Sequence, residues 1–533
     1  MHAPSIFAKH NAQKMKLGVA AELNLEIVNQ AKAKGADALV FHRIRAEVKP
    51  EHLASFKLYD TSKLSTEGKE FGYQYTEERL QKLQAKAPRL FLYKNFDLRI
   101  ALVKELYWSL IIDNLNEQKC RELQPDKGDL IYLDAPKNTT KDYLKFFARL
   151  IQPVMHVTSV KAQKELKNKI AIRINSTRAL PFFGNLFPTL GKSNFFCFQS
   201  AAATNAILTA TELRNLNFAN AEFKFMSKID FSEIGNFLPL VGSEEISFLN
   251  LLLLTKNRLK TTIDQYESLA KSDIKGYLLN AGENEGEGII AGMVAERYAK
   301  KAFNFMNGTK AKDPINQYTN FHYWFMHDLR MQQMFLAYSN QKRENLPVIG
   351  HLLEDTAHTH LYSGTLDTWK EQLSDKKIIA LFSSIIYNRE RSEVAQFLHS
   401  FLDANPDVVV LIRQHPSETQ EVSYTHPRSI ILPDFKEKSA LALFDLMQVA
   451  QVAISFGSTV SLQASWFGIP SATVEYAEKS LLFYVDQQKI HHFNSIPALE
   501  KFVKDALDKP KAKQQEKSSE KSVAQKMTDY LLS

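Results

Sequence analysis

Four short stretches of this chain hold residues able to do chemistry. In Ser455-Phe456-Gly457-Ser458-Thr459-Val460, a glycine that permits a tight turn is followed by two hydroxyls at the start of an apolar helical stretch. Backbone N–H groups and hydroxyls at such a point make an anion site, although Ser and Thr are also ordinary helix caps. Arg413-Gln414-His415-Pro416 directly follows the apolar run VVVLI. Arg413 offers a charged fork for phosphate, and His415 can donate to a phosphate or to a leaving oxygen. Pro416 fixes the turn that follows. In Leu381-Phe382-Ser383-Ser384, small hydroxyl residues would let a ligand approach closely. The fourth stretch, AGENEGEG, places Glu283, Glu285 and Glu287 in an acidic, glycine-rich turn expected to be flexible. Clustered carboxylates raise one another's pKa, which suits a base working near neutrality or a nucleophile. A solvated acidic loop would look the same. Glu285 is the preferred catalytic candidate, followed by Glu283, with Glu287 the third of the set.

These stretches need elements to hold them. Short apolar runs alternate with longer amphipathic ones, the pattern of βα units and parallel sheets. Strands are expected at Ala38–Phe41, Leu90–Tyr93, Leu130–Leu133, Ile170–Ile174, Glu222–Met226, Gly276–Leu279, Ala302–Met306 and Phe321–Met326. A cleaner series follows at Lys377–Phe382, Val408–Ile412, Ile430–Leu432, Val452–Ser455 and Ala472–Val474. Each chemical stretch therefore begins where a strand ends. In doubly wound sheets, that is where ligands bind. The expected architecture is two Rossmann-like doubly wound domains facing a cleft. Residues 1–350 form an acceptor-side domain with insertions, 351–508 a donor-binding domain, and 509–533 a polar tail with a terminal helix. The aromatic run Phe321–Phe325 reads as buried strand rather than a sugar-stacking surface. Asp328 and Arg330 follow it, facing the cleft. His351, His358 and His360 lie near the connector and are assigned to hinge or surface.

The bulk composition narrows the function. At roughly 100–200 residues per domain, 533 residues suggest two to four domains. The net charge of +8 is spread along the chain without a long basic block, which argues against nucleic acid. It suits an anionic substrate or peripheral contact with an anionic membrane. Two cysteines, Cys120 and Cys197, make neither a disulfide framework nor a metal cluster. The opening MHAPSIFAKHNAQKMK lacks an apolar run, so no signal peptide is expected, and the expected location is cytoplasmic, with peripheral contact at the inner membrane.

The order of motifs adds a resemblance. DVVVLIRQHPSE, then a helix, then VAISFGSTVSLQASWFGIPSATVE, resembles the donor-binding domain of bacterial GT-B glycosyltransferases that build surface polysaccharide. Its His-Pro and Ser-Ser/Thr motifs are similar to those of the sialyl- and Kdo-transferases and of capsule enzymes. The resemblance implies a GT-B fold and an activated donor of CMP-Kdo or CMP-sialic acid type, held by Arg413, His415, Ser458 and Thr459. It also implies a glycan or lipid-linked acceptor in capsule or lipopolysaccharide assembly. Neither cofactor nor metal is required. Many such enzymes carry Glu-Ala where this chain has Gln463-Ala464, so an amide rather than a carboxylate would meet the ribose. A UDP- or GDP-hexose transferase, a nucleotide-sugar epimerase and a catalytically inactive sugar-binding protein are the alternatives.

Overall fold

The computed structural model describes residues 16–45, 48–61, 66–123, 130–133, 140–151, 155–162, 166–174, 177–200, 218–225, 231–306, 308, 313–384, 388–415, 424–432, 439–476, 490–509 and 521–533. Among them are three sheets larger than a hairpin. The first is wholly parallel, in the order β3-β2-β1-β6: β1 Leu17–Leu23, β2 Ala38–Ile44, β3 Lys57–Asp60 and β6 Leu130–Tyr132. The expected strand at Leu90–Tyr93 is instead a hairpin of β4 Leu92–Tyr93 with β5 Phe96–Asp97. Lys94 and Asn95 both take positive φ there, as a tight hairpin turn requires.

The middle sheet contains β7 Met155–Ala162, β8 Ile170–Arg173, β9 Phe195–Phe198, β10 Phe218–Phe225, β11 Gly276–Asn280, β12 Lys301–Phe305 and β13 Tyr323–Phe325. Its order is β13-β12-β11-β8-β9-β10-β7. Every pairing is parallel except that of the edge strand β7 with β10. From β8 the chain winds outward through β9 and β10. It then returns to β11 and winds the other way through β12 and β13. The C-terminal sheet repeats this scheme without the extra edge. Its strands are β14 Lys377–Phe382, β15 Val408–Arg413, β16 Ser429–Ile431, β17 Val452–Ser455, β18 Ser471–Val474 and β19 Ile490–Phe493, in the all-parallel order β16-β15-β14-β17-β18-β19. Strands such as IAIR, FFCF, VAIS and SATV are buried along their whole length, as in sheets with both faces covered.

Both sheets are thus doubly wound, each with one point where the winding reverses: between β8 and β11 in the middle sheet, and between β14 and β17 in the C-terminal one. The stretch 1–350 carries two sheets, the four-stranded one preceding the middle one. The polar end of the chain returns to the middle sheet. Helix Val523–Leu532 buries Val523, Ala524, Met527 and Leu531 in one cluster with Ile170, Ile172, Leu278, Phe303 and Phe325. The Asp355 carboxylate caps it, accepting from the backbone N–H groups of Val523 at 3.1 Å and Ala524 at 2.8 Å. Among the described residues no helix is long and apolar enough to cross a membrane.

Candidate active site at two facing switch points

The C-terminal switch point gathers the hydroxyl stretches. The β14/β15 register pairs Phe382 with Arg413, and Ser383 continues it by donating its N–H to the Arg413 carbonyl at 2.9 Å. Ser383 is buried, Ser384 and Arg413 are half-buried, and His415 is exposed. Pro416 lies outside the described residues. Across the reversal, Gly457 takes φ +55°, which favours glycine, and donates its N–H to Thr473 Oγ1 at 2.9 Å. The hydroxyls of Ser455 and Ser461 close the loop at 2.6 Å. The helix that follows, Val460–Trp466, has seven residues, and the Thr459 side chain makes no capping hydrogen bond to it. A helix this short has little macrodipole to offer an anion. Gln463 is buried in this helix, and its Oε1 has no hydrogen-bond partner among the described residues.

The acidic stretch occupies the middle switch point, and it is not a flexible turn. Ala281 in the left-handed region leads into a 3-10 turn Gly282–Asn284 and then helix Gly286–Arg297. A Cβ on Gly286 would lie 2.5 Å from the Ala101 carbonyl oxygen, and one on Gly288 would lie 2.1 Å from that of Gly282. The glycines are there for close packing, and they hold the three carboxylates in different surroundings. Glu283 is fully buried; its oxygens accept from Asn304 Nδ2 at 2.8 Å and Asn284 Nδ2 at 3.3 Å. Glu287 is buried and accepts from the Tyr266 hydroxyl at 2.9 Å. Glu285 keeps 43% of its side chain exposed, the most open of the three.

Arg173 binds these carboxylates together. It is the last residue of β8 and almost wholly buried. Its Nη1 pairs with Glu285 Oε2 and, at 2.9 Å, with Glu287 Oε2, while Nη2 donates to the Asn280 carbonyl at 2.6 Å. Burial alone would disfavour its charge, but the two carboxylates outweigh that and raise its pKa. Desolvation holds the Glu285 carboxyl above its ordinary value, with Arg173 pulling the other way and Glu287 adding to the rise. Burial and Glu287 raise the Tyr266 phenol, so it stays a neutral donor. Glu105, on helix Arg99–Leu123, caps Gly286 N at 2.9 Å and pairs with Arg258; burial raises its pKa too. Lys104 beside it is fully buried and donates to the Glu283 carbonyl at 2.7 Å. Desolvation brings its amine down to about 7.

One segment of the middle sheet reaches the C-terminal loop. Gly308, just beyond β12, sits so near the C-terminal loop that a Cβ on it would lie 3.0 Å from Thr459 Oγ1. Other expectations fared differently. The expected strand Phe321–Met326 is shorter, β13 Tyr323–Phe325, with Phe321 just outside it; Phe321, Trp324 and Phe325 are all buried. Asp328 caps helix Leu329–Tyr338 through Met331 N at 2.8 Å and is engaged structurally. His351 and His360 are buried, the latter at 2.7 Å from Asp445, so neither is a surface residue. Arg173, Tyr266, Glu105 and Arg258 were not anticipated. One signal was present: IAIR173 ends an apolar strand in arginine, as VVVLIR413 does.

No family model matches the chain, and no curated protein matches it. Several solved structures share parts of its layout. A putative UDP-N-acetylglucosamine 2-epimerase from Listeria monocytogenes is 13% identical with a TM-score of 0.44, over 64% of this chain and 88% of that one. The UDP-GlcNAc 2-epimerase of Methanocaldococcus jannaschii, in complex with UDP-GlcNAc and UDP, is 12% identical with a TM-score of 0.43, over 68% and 99%. The wall teichoic acid polymerase TagF is 11% identical with a TM-score of 0.39, over 68% and 88%. At this level of likeness neither activity nor ligand carries over.

Proposed function

We propose that this chain is a GT-B glycosyltransferase that moves a sugar from a nucleotide-activated donor to a glycan or lipid-linked acceptor in bacterial surface polysaccharide synthesis. The observation that carries the reading is the placing of chemistry at both reversals. One doubly wound sheet carries hydroxyls and a guanidinium at its reversal and the other carries carboxylates, and the segment beyond β12 of the second reaches the first, with Gly308 against Thr459. Arg413, His415, Ser458 and Thr459 hold the donor phosphates, and Ser383 and Ser384 leave room for close approach. The orphan Gln463 Oε1 accepts from a ribose hydroxyl, which satisfies it. The acceptor O–H gives its proton to Glu285, the acceptor oxygen bonds to the anomeric carbon, and the bond from that carbon to the phosphate oxygen breaks. The nucleotide leaves with the electron pair, its new charge met by Arg413 and the hydroxyls. A CMP-activated acidic sugar of the Kdo or sialic acid type is the first donor to test, then UDP- and GDP-hexoses.

The second reading is a nucleotide-sugar epimerase. The close set of Glu285, Glu287 and Glu105 around Arg173 and Arg258 favours it, since epimerisation needs acid and base groups together and no acceptor. A thermal-shift screen of CMP, CDP, UDP and GDP tests the shared premise, because a ligand of the native state raises Tm. No shift with any of them would sink both readings. Incubating the responding sugar nucleotide without acceptor separates them: a transferase leaves it intact or hydrolyses it slowly, and an epimerase converts it.

A further inference from the structure

Helix Thr140–Ile151 is apolar on two sides. Phe146 and Leu150 are buried, Phe146 against Phe237 with ring centroids 6.0 Å apart. On the outer side Leu144, Phe147 and Ile151 are 66%, 37% and 50% exposed. Spacings of three and four residues put them in one stripe. Lys141, Lys145 and Arg149 are exposed on the same helix, and its one acidic residue, Asp142, is half-buried. The neighbouring helix Phe231–Phe237 exposes Phe231, Ser232 and Gly235, while its only acidic residue, Glu233, is buried against Lys256. An exposed apolar stripe edged by cations and poor in exposed carboxylates has the chemistry of an interfacial helix on an anionic bilayer.

The stripe also leads somewhere. Arg149 donates to Asn250 at 3.2 Å, on the long helix Ile246–Lys271. Leu254 and Arg258 follow at four-residue steps on the same face, and both are exposed. Arg258 pairs with Glu105, which caps Gly286 beside Glu285. Asn250 to Arg258 spans roughly 12 Å at 1.5 Å per residue. We infer that helix Thr140–Ile151 docks this protein onto an anionic phospholipid surface, with the carboxylate centre held close above it. Delivery of a lipid-borne acceptor to Glu285 rests on the transferase reading; the docking does not.

The test is co-sedimentation of the full chain with mixed phosphatidylglycerol–phosphatidylcholine vesicles and with pure phosphatidylcholine vesicles. The mixed vesicles should bind it, less so at high salt, and the neutral ones poorly. K145E/R149E and L144S/F147S/I151S should each weaken binding about tenfold or more, with unchanged unfolding midpoints and nucleotide thermal shifts. Failure of the wild type to bind the mixed vesicles, or equal binding by both variants, overturns the inference. So does a wild-type dimer in sedimentation analysis that the apolar triple variant converts to monomer without any vesicle binding, which would make the face a self-interface. Nucleotide binding is read separately, so a failed docking and a failed transferase reading give different patterns.

Discussion

The side chains at the C-terminal switch point are mostly short and uncharged, and its guanidinium and imidazole, Arg413 and His415, are half-buried and exposed. At the middle switch point an arginine, Arg173, is buried between two carboxylates, a third carboxylate caps the adjoining helix, and a neutral phenol fixes one of the pair. Each sheet ends one parallel strand in an arginine, but at different steps of the same winding: Arg173 closes β8, the first strand of its sheet's winding, and Arg413 closes β15, the second. One arginine, Arg413, is half-buried. The other is committed to organising acids. Open sites lose affinity when altered, whereas committed sites lose folding stability as well as rate.

That contrast can be broken in several places. The largest effect belongs to Glu285→Gln, which should lower transfer by roughly 10²–10⁴-fold while leaving the nucleotide thermal shift intact. If Glu285→Gln stays active while Glu283→Gln or Glu287→Gln loses transfer without loss of stability, the centre has been assigned to the wrong carboxylate. Arg173→Met leaves a buried Glu287 without its cation. It should cost about 3–5 kcal/mol in urea unfolding. With its counter-charge gone, any residual activity should show its acidic limb moved to higher pH. Arg413→Ala should behave oppositely. Nucleotide binding by calorimetry should weaken roughly tenfold to a hundredfold, with stability within about 0.5 kcal/mol of wild type. A loss of several kcal/mol there would erase the difference between the sites.

The smallest effect concerns Lys104. Its folded pKa, about 7, lies below the ordinary lysine value. Between the two, the unfolded chain binds more protons, so stability rises with pH over that window and levels off below about 7. The stability of wild type relative to Lys104→Met should therefore rise with pH above 7, by up to about 1.4 kcal/mol per unit. A pH-independent difference would mean that Lys104 is not desolvated beneath the acidic loop.

Much of this is legible in the sequence. Strands β14 to β18 run where continuous apolar stretches said they should, because a strand buried on both faces leaves a local signature. The strands β1, β3, β5, β7, β9 and β19 were not anticipated: LGVAAEL is diluted by glycine and alanine, and FFCF is a four-residue apolar run without alternation. The acidic stretch was found, but its stiffness was not. Gly286 and Gly288 read as flexibility until helix Arg99–Leu123 was seen to press on the former and Gly282 on the latter. Arg173 lies 112 residues from Glu285 in sequence, and only the return of the chain from β10 to β11 brings them together. Local composition carries no trace of such a pairing.

The capped helix Val523–Leu532 has a consequence for how the protein is made. The C-terminal sheet is contiguous from Lys377 to Phe493, so all its strands can leave the ribosome and pair while synthesis continues. The middle sheet's strands are translated earlier, yet part of one face, beside Phe183, Leu186 and Leu190, stays uncovered until Val523, Ala524, Met527 and Leu531 emerge. Domains usually mature in the order of their synthesis. Here the later-made sheet can finish first, and the earlier one must wait with apolar surface exposed, a natural point for a chaperone to bind.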